Sequence, residues 1–262
     1  MEYETSKKKL ITEYKFHGDP YKANPILSET ILLSYKEIPQ QLIETGFNPN
    51  WLNHMEVGVD HQNSRIIYPI RDVYGNLAGV SGGRMFEAQH PKYQVYAGGY
   101  REAHTGVYIP GLFGAWFDTQ YPGYECHKGH FLWNFDRVYA RLFHNRTKDT
   151  IYIVEGFKAC LWMLQNGYNN TIALMGSTMT EEHYNLLVRL SVDIVLFLDN
   201  DEAGVRCTRY MASQLKKHCR IFMVGYPDDK NQPDDLSKEE LDTVLASKQQ
   251  VTVKDIVKWK RL

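Results

Sequence analysis

Ile151-Tyr152-Ile153-Val154-Glu155-Gly156 and Asp193-Ile194-Val195-Leu196-Phe197-Leu198-Asp199-Asn200-Asp201 are the two stretches that decide the fold. Each is a short apolar run bounded by acids and glycine, with the length of a buried strand. The sequence between and after them changes period. A helix is expected over about 157–166, closing at Gly167, then a second strand over Thr171–Met175. Thr180 caps a further helix whose first turn carries Glu181 and Glu182, where carboxylates suit the positive end of the helix dipole. Glu202–Lys217 reads as a long helix and Ile221–Val224 as a fourth strand. Strands alternating with helices in this way specify an α/β fold, with a parallel sheet and right-handed crossovers.

In such a sheet ligands bind beyond the carboxyl ends of the strands. Three acids fall there: Glu155 after the first strand, Asp199 and Asp201 after the third. Two positions apart in an extended segment, Asp199 and Asp201 point to the same side and can share one divalent ion, with Glu155 facing them. Carboxylates pushed together repel unless a cation lies between them, and an all-oxygen ligand set favours magnesium or manganese over zinc. The competing reading is that Glu155 and Asp201 simply cap the helices that follow them.

Upstream, helices are expected over about 28–35, 38–45 and 49–54, with turns at His17-Gly18-Asp19-Pro20 and Gly46-Phe47-Asn48-Pro49. Arg65–Ile70 reads as a strand and Asp72–Asn76 as a turn, with Leu77–Arg84 as the antiparallel return. Thirteen aromatic residues lie between Tyr93 and Tyr139, in pieces broken by Gly98-Gly99, Pro110-Gly111 and Pro122-Gly123. Interleaved with Lys and Arg, they suit either stacking on single-stranded nucleic acid or a compact β-rich core. Residues 237–262 read as one or two amphipathic helices ending in Lys258, Lys260 and Arg261.

At 262 residues, 43% hydrophobic and 23% charged, the chain has ordinary globular composition, which excludes wholesale disorder and a coiled coil. Mean hydropathy is -0.45, and no apolar run approaches the roughly 18 residues of a membrane span. The start, with Lys7-Lys8-Lys9, lacks the apolar stretch of a signal peptide, so a soluble, cytoplasmic protein is expected. The net charge of -1 hides segregation. Lys128, Arg137, Arg141, Arg146 and Lys148 face only Asp136 over 128–148, while Asp228, Asp229, Asp234 and Asp235 face only Lys230 over 228–235. That pattern suits a polyanion held beside a divalent metal, and equally two solvated faces. Cys126, Cys160, Cys207 and Cys219 form no C-x-x-C pair, so free thiols are expected, with Cys126-His127 and His130 a minor zinc candidate.

The two opening stretches resemble the hallmark motifs of the Toprim domain, Ile151–Gly156 and Leu198-Asp199-Asn200-Asp201-Glu202-Ala203-Gly204. Ala173–Thr180 resembles the middle Toprim segment of DnaG-type primases. Arg65–Asp72, Gly79–Arg84, Pro91-Lys92-Tyr93 and His127-Lys128-Gly129 resemble motifs of the subdomain that precedes it there, and Pro233-Asp234-Asp235-Leu236 the acidic motif that follows. The resemblance covers roughly 30–240. It implies three parts: an α+β primase subdomain at 1–148, a Toprim metal-binding domain at 149–236 and a helical tail at 237–262. It implies a DNA primase core that makes short RNA primers on single-stranded DNA from ribonucleoside triphosphates, in a bacterial or phage-infected cell.

On that resemblance Glu155, Asp199 and Asp201 are catalytic and, with Asp234, hold Mg2+ or Mn2+, while Arg71, Arg84, Lys92 and Lys128 bind template and nucleotide phosphates. A replicative helicase or a separate zinc-ribbon protein is an expected partner. Three features depart from the family pattern: Ala159 stands where an Asp is usual, Asn231-Gln232 precedes Pro233, and 94–126 reads as an insertion. The motifs of a zinc ribbon and a helicase-binding domain are missing, as expected of a compact phage or plasmid primase core or an excised catalytic core. A Toprim nuclease, or a non-catalytic protein that binds single-stranded DNA, are the alternatives.

Overall fold

In the computed structural model residues 26–122, 124–145 and 149–259 are described. Lys7–Lys9, the turn expected at 17–20, Gly123, Arg146, Lys148, Lys260 and Arg261 lie outside them. The first half begins with a 3-10 turn over Glu29–Tyr35, followed by α1 (Gln40–Glu44) and α2 (Pro49–His54). Asn48 caps α2 by accepting from the Asn50 amide, and Pro49 takes the first helical position, where no amide is needed.

Strands β1 (Gly58–Asp60), β2 (Arg65–Arg71), β3 (Leu77–Arg84) and β4 (Tyr93–Val95) form an antiparallel sheet in that order. The turn between β2 and β3 is closed by Asp72, whose carboxylate accepts from the Tyr74 and Asn76 amides and from the Asn76 side chain. Both strands are buried along nearly their whole length, so both sheet faces are covered. Under one face lie Tyr96, Phe113, Phe117 and Tyr124 from the expected insertion. That segment contributes the hairpin β5 (Tyr100–Arg101) and β6 (Tyr108–Ile109) and the helix α3 (Ala115–Gln120). Seven of the thirteen aromatics are buried (Tyr96, Phe113, Phe117, Tyr124, Phe131, Trp133 and Phe135), so the core reading of this stretch holds for most of its rings.

After α4 (Phe135–Asn145) the pattern is βαβ: β7 (Ile151–Val154), α5 (Phe157–Gln165), β8 (Thr171–Ala173), α6 (Glu181–Leu190), β9 (Ile194–Leu196), α7 (Glu202–Leu215) and β10 (Ile221–Met223). The sheet order is β11-β10-β9-β7-β8, with β7 to β10 all parallel. The expected tail is not purely helical. Between α8 (Lys238–Ala246) and α9 (Val253–Trp259), β11 (Gln249–Gln250) pairs antiparallel with β10 and closes that sheet edge. A two-residue strand of glutamines has no apolar alternation to announce it.

The two halves share one core. Tyr68 of β2 stacks on Phe157 of α5 with ring centroids 4.4 Å apart. Trp133 pairs with Ala173 at the edge of the parallel sheet, while its indole N–H donates to the Pro69 carbonyl at 2.7 Å. His183, buried in α6, meets the Phe131 carbonyl at 2.7 Å through Nε2. These contacts hold the antiparallel sheet against the carboxyl end of the parallel one.

Candidate active site

β7 and β9 run parallel with Ile153 opposite Leu196, so the chain leaves both strands at the same edge. Glu155 is the first residue after β7. The β9 ladder stops at Leu196, short of the expected Leu198, and Asp199 and Asp201 therefore lie in the turn into α7. Strand alternation does not place them. Asp201 caps α7, its carboxylate accepting from the Gly204 amide at 2.7 Å. The turn is tight: a Cβ on Gly204 would stand 2.0 Å from the Asp199 carbonyl oxygen, so only glycine fits there.

Glu155 behaves differently. α5 begins at Gly156 with no side-chain cap, and Glu155 Oε2 is buried without a hydrogen-bond partner. The capping reading thus describes Asp201 and fails for Glu155. Buried acceptors are normally satisfied, and an orphaned carboxylate oxygen points to a ligand. Asp234 sits in a 3-10 turn over Pro233–Asp235, with Oδ2 3.8 Å from the Lys158 ammonium of α5. Ala159, where the family pattern has an acid, is packed in the apolar core.

Burial is the largest influence on all three inner carboxyls. It pushes Asp199 up to about 7, with Glu155 and Asp234 adding to the effect and Lys92 opposing it. Glu155 is raised by burial and then by Asp201, against Lys92 and Lys128. Asp234 is raised by burial, against Lys158. The carboxylates share a field without forming a closed cage: among the described residues no three His, Cys, Asp or Glu side chains stand at metal-ligating spacing. The donor set, all carboxylate oxygens with one buried oxygen unsatisfied, fits a hard divalent cation such as magnesium or manganese.

The four expected cations divide. Lys92 is exposed, its ammonium 5.8 Å over the Tyr93 ring, and its charge bears on Glu155 and Asp199. Lys128 reaches across from the other half and donates to the Met175 carbonyl at 2.9 Å, where Met175 adopts a left-handed φ of 60° after β8. Arg84 is engaged with the Glu87 carboxylate and carbonyl. Arg71 is held as a clamp: its guanidinium donates to Glu29, Glu56 and the Gly75 carbonyl, and only 11% of the side chain is exposed. The minor zinc candidate is not assembled either, since Cys126 packs its sulfur against β3 at Gly79.

Sequence reasoning passed over three neighbours of this site. Arg65, buried at 4% exposure, donates to the carbonyls of Gly82, His90 and Pro91 and so pins the loop that carries Lys92. Lys158, three positions after Glu155, was visible in the sequence but carried no assigned partner. Tyr226, beyond the end of β10, is placed by its stack on Phe197. Beyond Asp201 a groove of about 590 Å³ runs along α7, walled by Arg206, Arg209, Tyr210 and Trp259.

Residues 152–237 match the Toprim-like family model. That segment is similar to a Toprim-like domain, and the fold around it is similar to that of the DnaG catalytic core. It is 28% identical over 201 residues to a DNA primase of Enterococcus faecalis, covering 75% of this chain and 28% of that protein. It is 28% identical over 199 residues to a DNA primase of Deinococcus radiodurans, covering 75% and 30%. The chain thus spans less than a third of the length of these curated relatives. Among solved structures, the zinc-binding and RNA polymerase domains of the Aquifex aeolicus primase superpose with a TM-score of 0.65 at 17% identity, covering 88% of this chain and 64% of that one. The DnaG primase catalytic domain bound to single-stranded DNA gives 0.61 at 17% identity, covering 88% and 79%. The Toprim-like match holds all four acids of the site, while Lys92, Lys128 and Arg65 come from outside it.

Proposed function

We propose that this chain is a primase catalytic core, which makes short RNA primers on single-stranded DNA by divalent-metal-dependent nucleotidyl transfer. The observation that carries the reading is Glu155, with one buried oxygen unsatisfied, beside Asp199 at the carboxyl ends of adjacent parallel strands and within the field of Lys92 and Lys128 from the opposite half. The similarity to DNA primases supports it independently.

Glu155 and Asp199 hold the cation in this reading, with Asp201 and Asp234 on its margins, one as a helix cap and the other paired to Lys158. A Mg2+ or Mn2+ held by these carboxylates would supply acidification of the attacking ribose hydroxyl and charge neutralisation on the departing pyrophosphate. Lys92 and Lys128 bear on nucleotide and template phosphates. Arg84 joins them by exchanging Glu87 for a phosphate, which guanidinium binds bidentately. Arg71 keeps the β2–β3 turn in place and takes no part in substrate binding. A replicative helicase and a separate zinc-ribbon protein are the partners this reading expects.

The test is to incubate the protein with single-stranded DNA, labelled ribonucleotides and Mg2+. Short RNA products that vanish with Glu155→Gln support the reading. Shortened DNA with no RNA made would identify a nuclease, and tight DNA binding with neither reaction a non-catalytic binding protein.

A further inference from the structure

Tyr226 has a hydroxyl that the fold does not use. β10 runs parallel to β9 with Met223 opposite Leu196; Tyr226 comes three residues after β10 as Asp199 comes three after β9, and the Asp199 charge bears on its phenol. Its ring is stacked on Phe197, with centroids 4.9 Å apart and planes 26° from parallel, which fixes where the hydroxyl lies. That hydroxyl is buried and has no hydrogen-bond partner. A phenylalanine would make the same stack, so packing does not account for the oxygen. Burial and the surrounding Asp199, Asp234, Asp235 and Glu155 hold the phenol protonated, which makes it a donor.

The acidic space therefore contains an orphaned donor, the Tyr226 hydroxyl, and an orphaned acceptor, Glu155 Oε2. Leaving either unsatisfied costs free energy, and neither satisfies the other. A bare anion entering here is repelled by the carboxylates. A divalent cation bearing an oxygen ligand completes both groups at once, the metal going to the carboxylate and its oxygen accepting from the phenol.

We propose that the Tyr226 hydroxyl donates a hydrogen bond to an oxygen carried into the acidic site by a divalent cation, either a coordinated water or a nucleotide phosphate oxygen. The inference rests on the metal reading of Glu155 and Asp199 given above. Tyr226 is then a binding residue contributed from outside the four acids, by the segment that follows β10.

The experiment compares wild type with Tyr226→Phe, which keeps the stack on Phe197. Mn2+ binding is titrated by paramagnetic resonance without nucleotide, and GTP binding is titrated by calorimetry at saturating Mn2+. A charge-assisted hydrogen bond lost from a buried site weakens the affected step by about tenfold. Weaker Mn2+ binding identifies the oxygen as a coordinated water. Unchanged Mn2+ binding with weaker GTP binding identifies a phosphate oxygen. In a Glu155→Gln background Tyr226→Phe has no further effect on the step concerned. Equal affinities in both titrations overturn the inference while leaving the metal reading intact. Failure of the wild type to bind Mn2+ overturns both.

Discussion

Asp199→Asn removes the charge that sits least comfortably in this fold. The Asp199 carboxyl is pushed up to about 7, first by burial and then by Glu155 and Asp234. Its folded pKa therefore lies above its unfolded one, and between them the folded state binds the extra proton. Stability from this group is present in full at low pH and is lost as pH rises through about 7. Moving from the ordinary 3.8 to about 7 corresponds to about 4 kcal/mol as an upper bound, and solvent at this half-buried group reduces that to about 2 kcal/mol. In chelator at pH 8 the Asn variant should unfold some 4–8 °C above wild type, on the order expected for about 2 kcal/mol in a domain of this size. At pH 5 the gap should shrink, because wild type is then protonated. Added Mg2+ should raise the wild-type midpoint at pH 8 and leave the variant's nearly unchanged, while primer synthesis by the variant is lost. The assay is thermal unfolding followed by circular dichroism at both pH values, with and without metal. A variant no more stable than wild type at pH 8 in chelator would refute the buried, mutually repelling arrangement.

Arg65→Gln, which frees the loop carrying Lys92, should raise the KM for ribonucleotides about tenfold more than it lowers kcat, with Arg65→Lys only partly restoring it because an ammonium cannot span three carbonyls; steady-state kinetics would read this, and an equal loss in both parameters would argue against positioning. Asp201→Ala should cost about 1 kcal/mol through the lost cap of α7, and Asp201→Ser should recover that stability without recovering synthesis, as unfolding and primer assays on the same samples would show. Burial holds His183 down to about 4, below its unfolded value, so wild type should lose stability as pH falls from about 6.5 toward 4 while the unfolded chain takes up the proton. His183→Gln should flatten that acid limb of a pH–stability curve; an unchanged limb would place the effect elsewhere.

The parallel sheet was legible because its strands are buried on both faces and read as unbroken apolar runs; Ile151–Val154 is found where it was expected, and the other three strands are shorter by one to three residues. Apart from Asp193 before β9 the losses fall at carboxyl ends, where the chain peels away to form the site, and that is why residues after β9 escaped the alternation rule. The Thr180 cap was legible from local chemistry, and the structure adds His183 as the reciprocal partner. The carboxylate partners of Arg71 were not legible because an arginine beside a turn looks alike in sequence whether it meets phosphate or carboxylate, and Glu29 and Glu56 lie 42 and 15 residues away. β11 and Tyr226 were illegible for the same reason: both take their meaning from a neighbouring strand, and strand order is not written in local pattern.

Lys158 bears on how the four acids divide their work. It stands 3.8 Å from Asp234 and lowers that carboxyl's pKa against the effect of burial. A cation approaching Asp234 must displace an ammonium already there, whereas Glu155 presents an unsatisfied oxygen that no cation contests directly. Asp201 in turn has one oxygen committed to the Gly204 amide, so ligation there competes with the start of α7. The order of availability is thus Glu155 and Asp199 first, Asp201 next and Asp234 last. The family pattern places an acid at position 159, but here Ala159 is sealed in the apolar core and Lys158 beside it faces Asp234. In the proposed reading, loss of one acid and neutralisation of another would concentrate metal binding on the β7–β9 pair, within the field of Lys92 and Lys128 from the other half. The proposed metal site and the lysines proposed to bind phosphate therefore depend on the same packing of the two sheets, and a substitution that loosens Tyr68 on Phe157 should weaken both together.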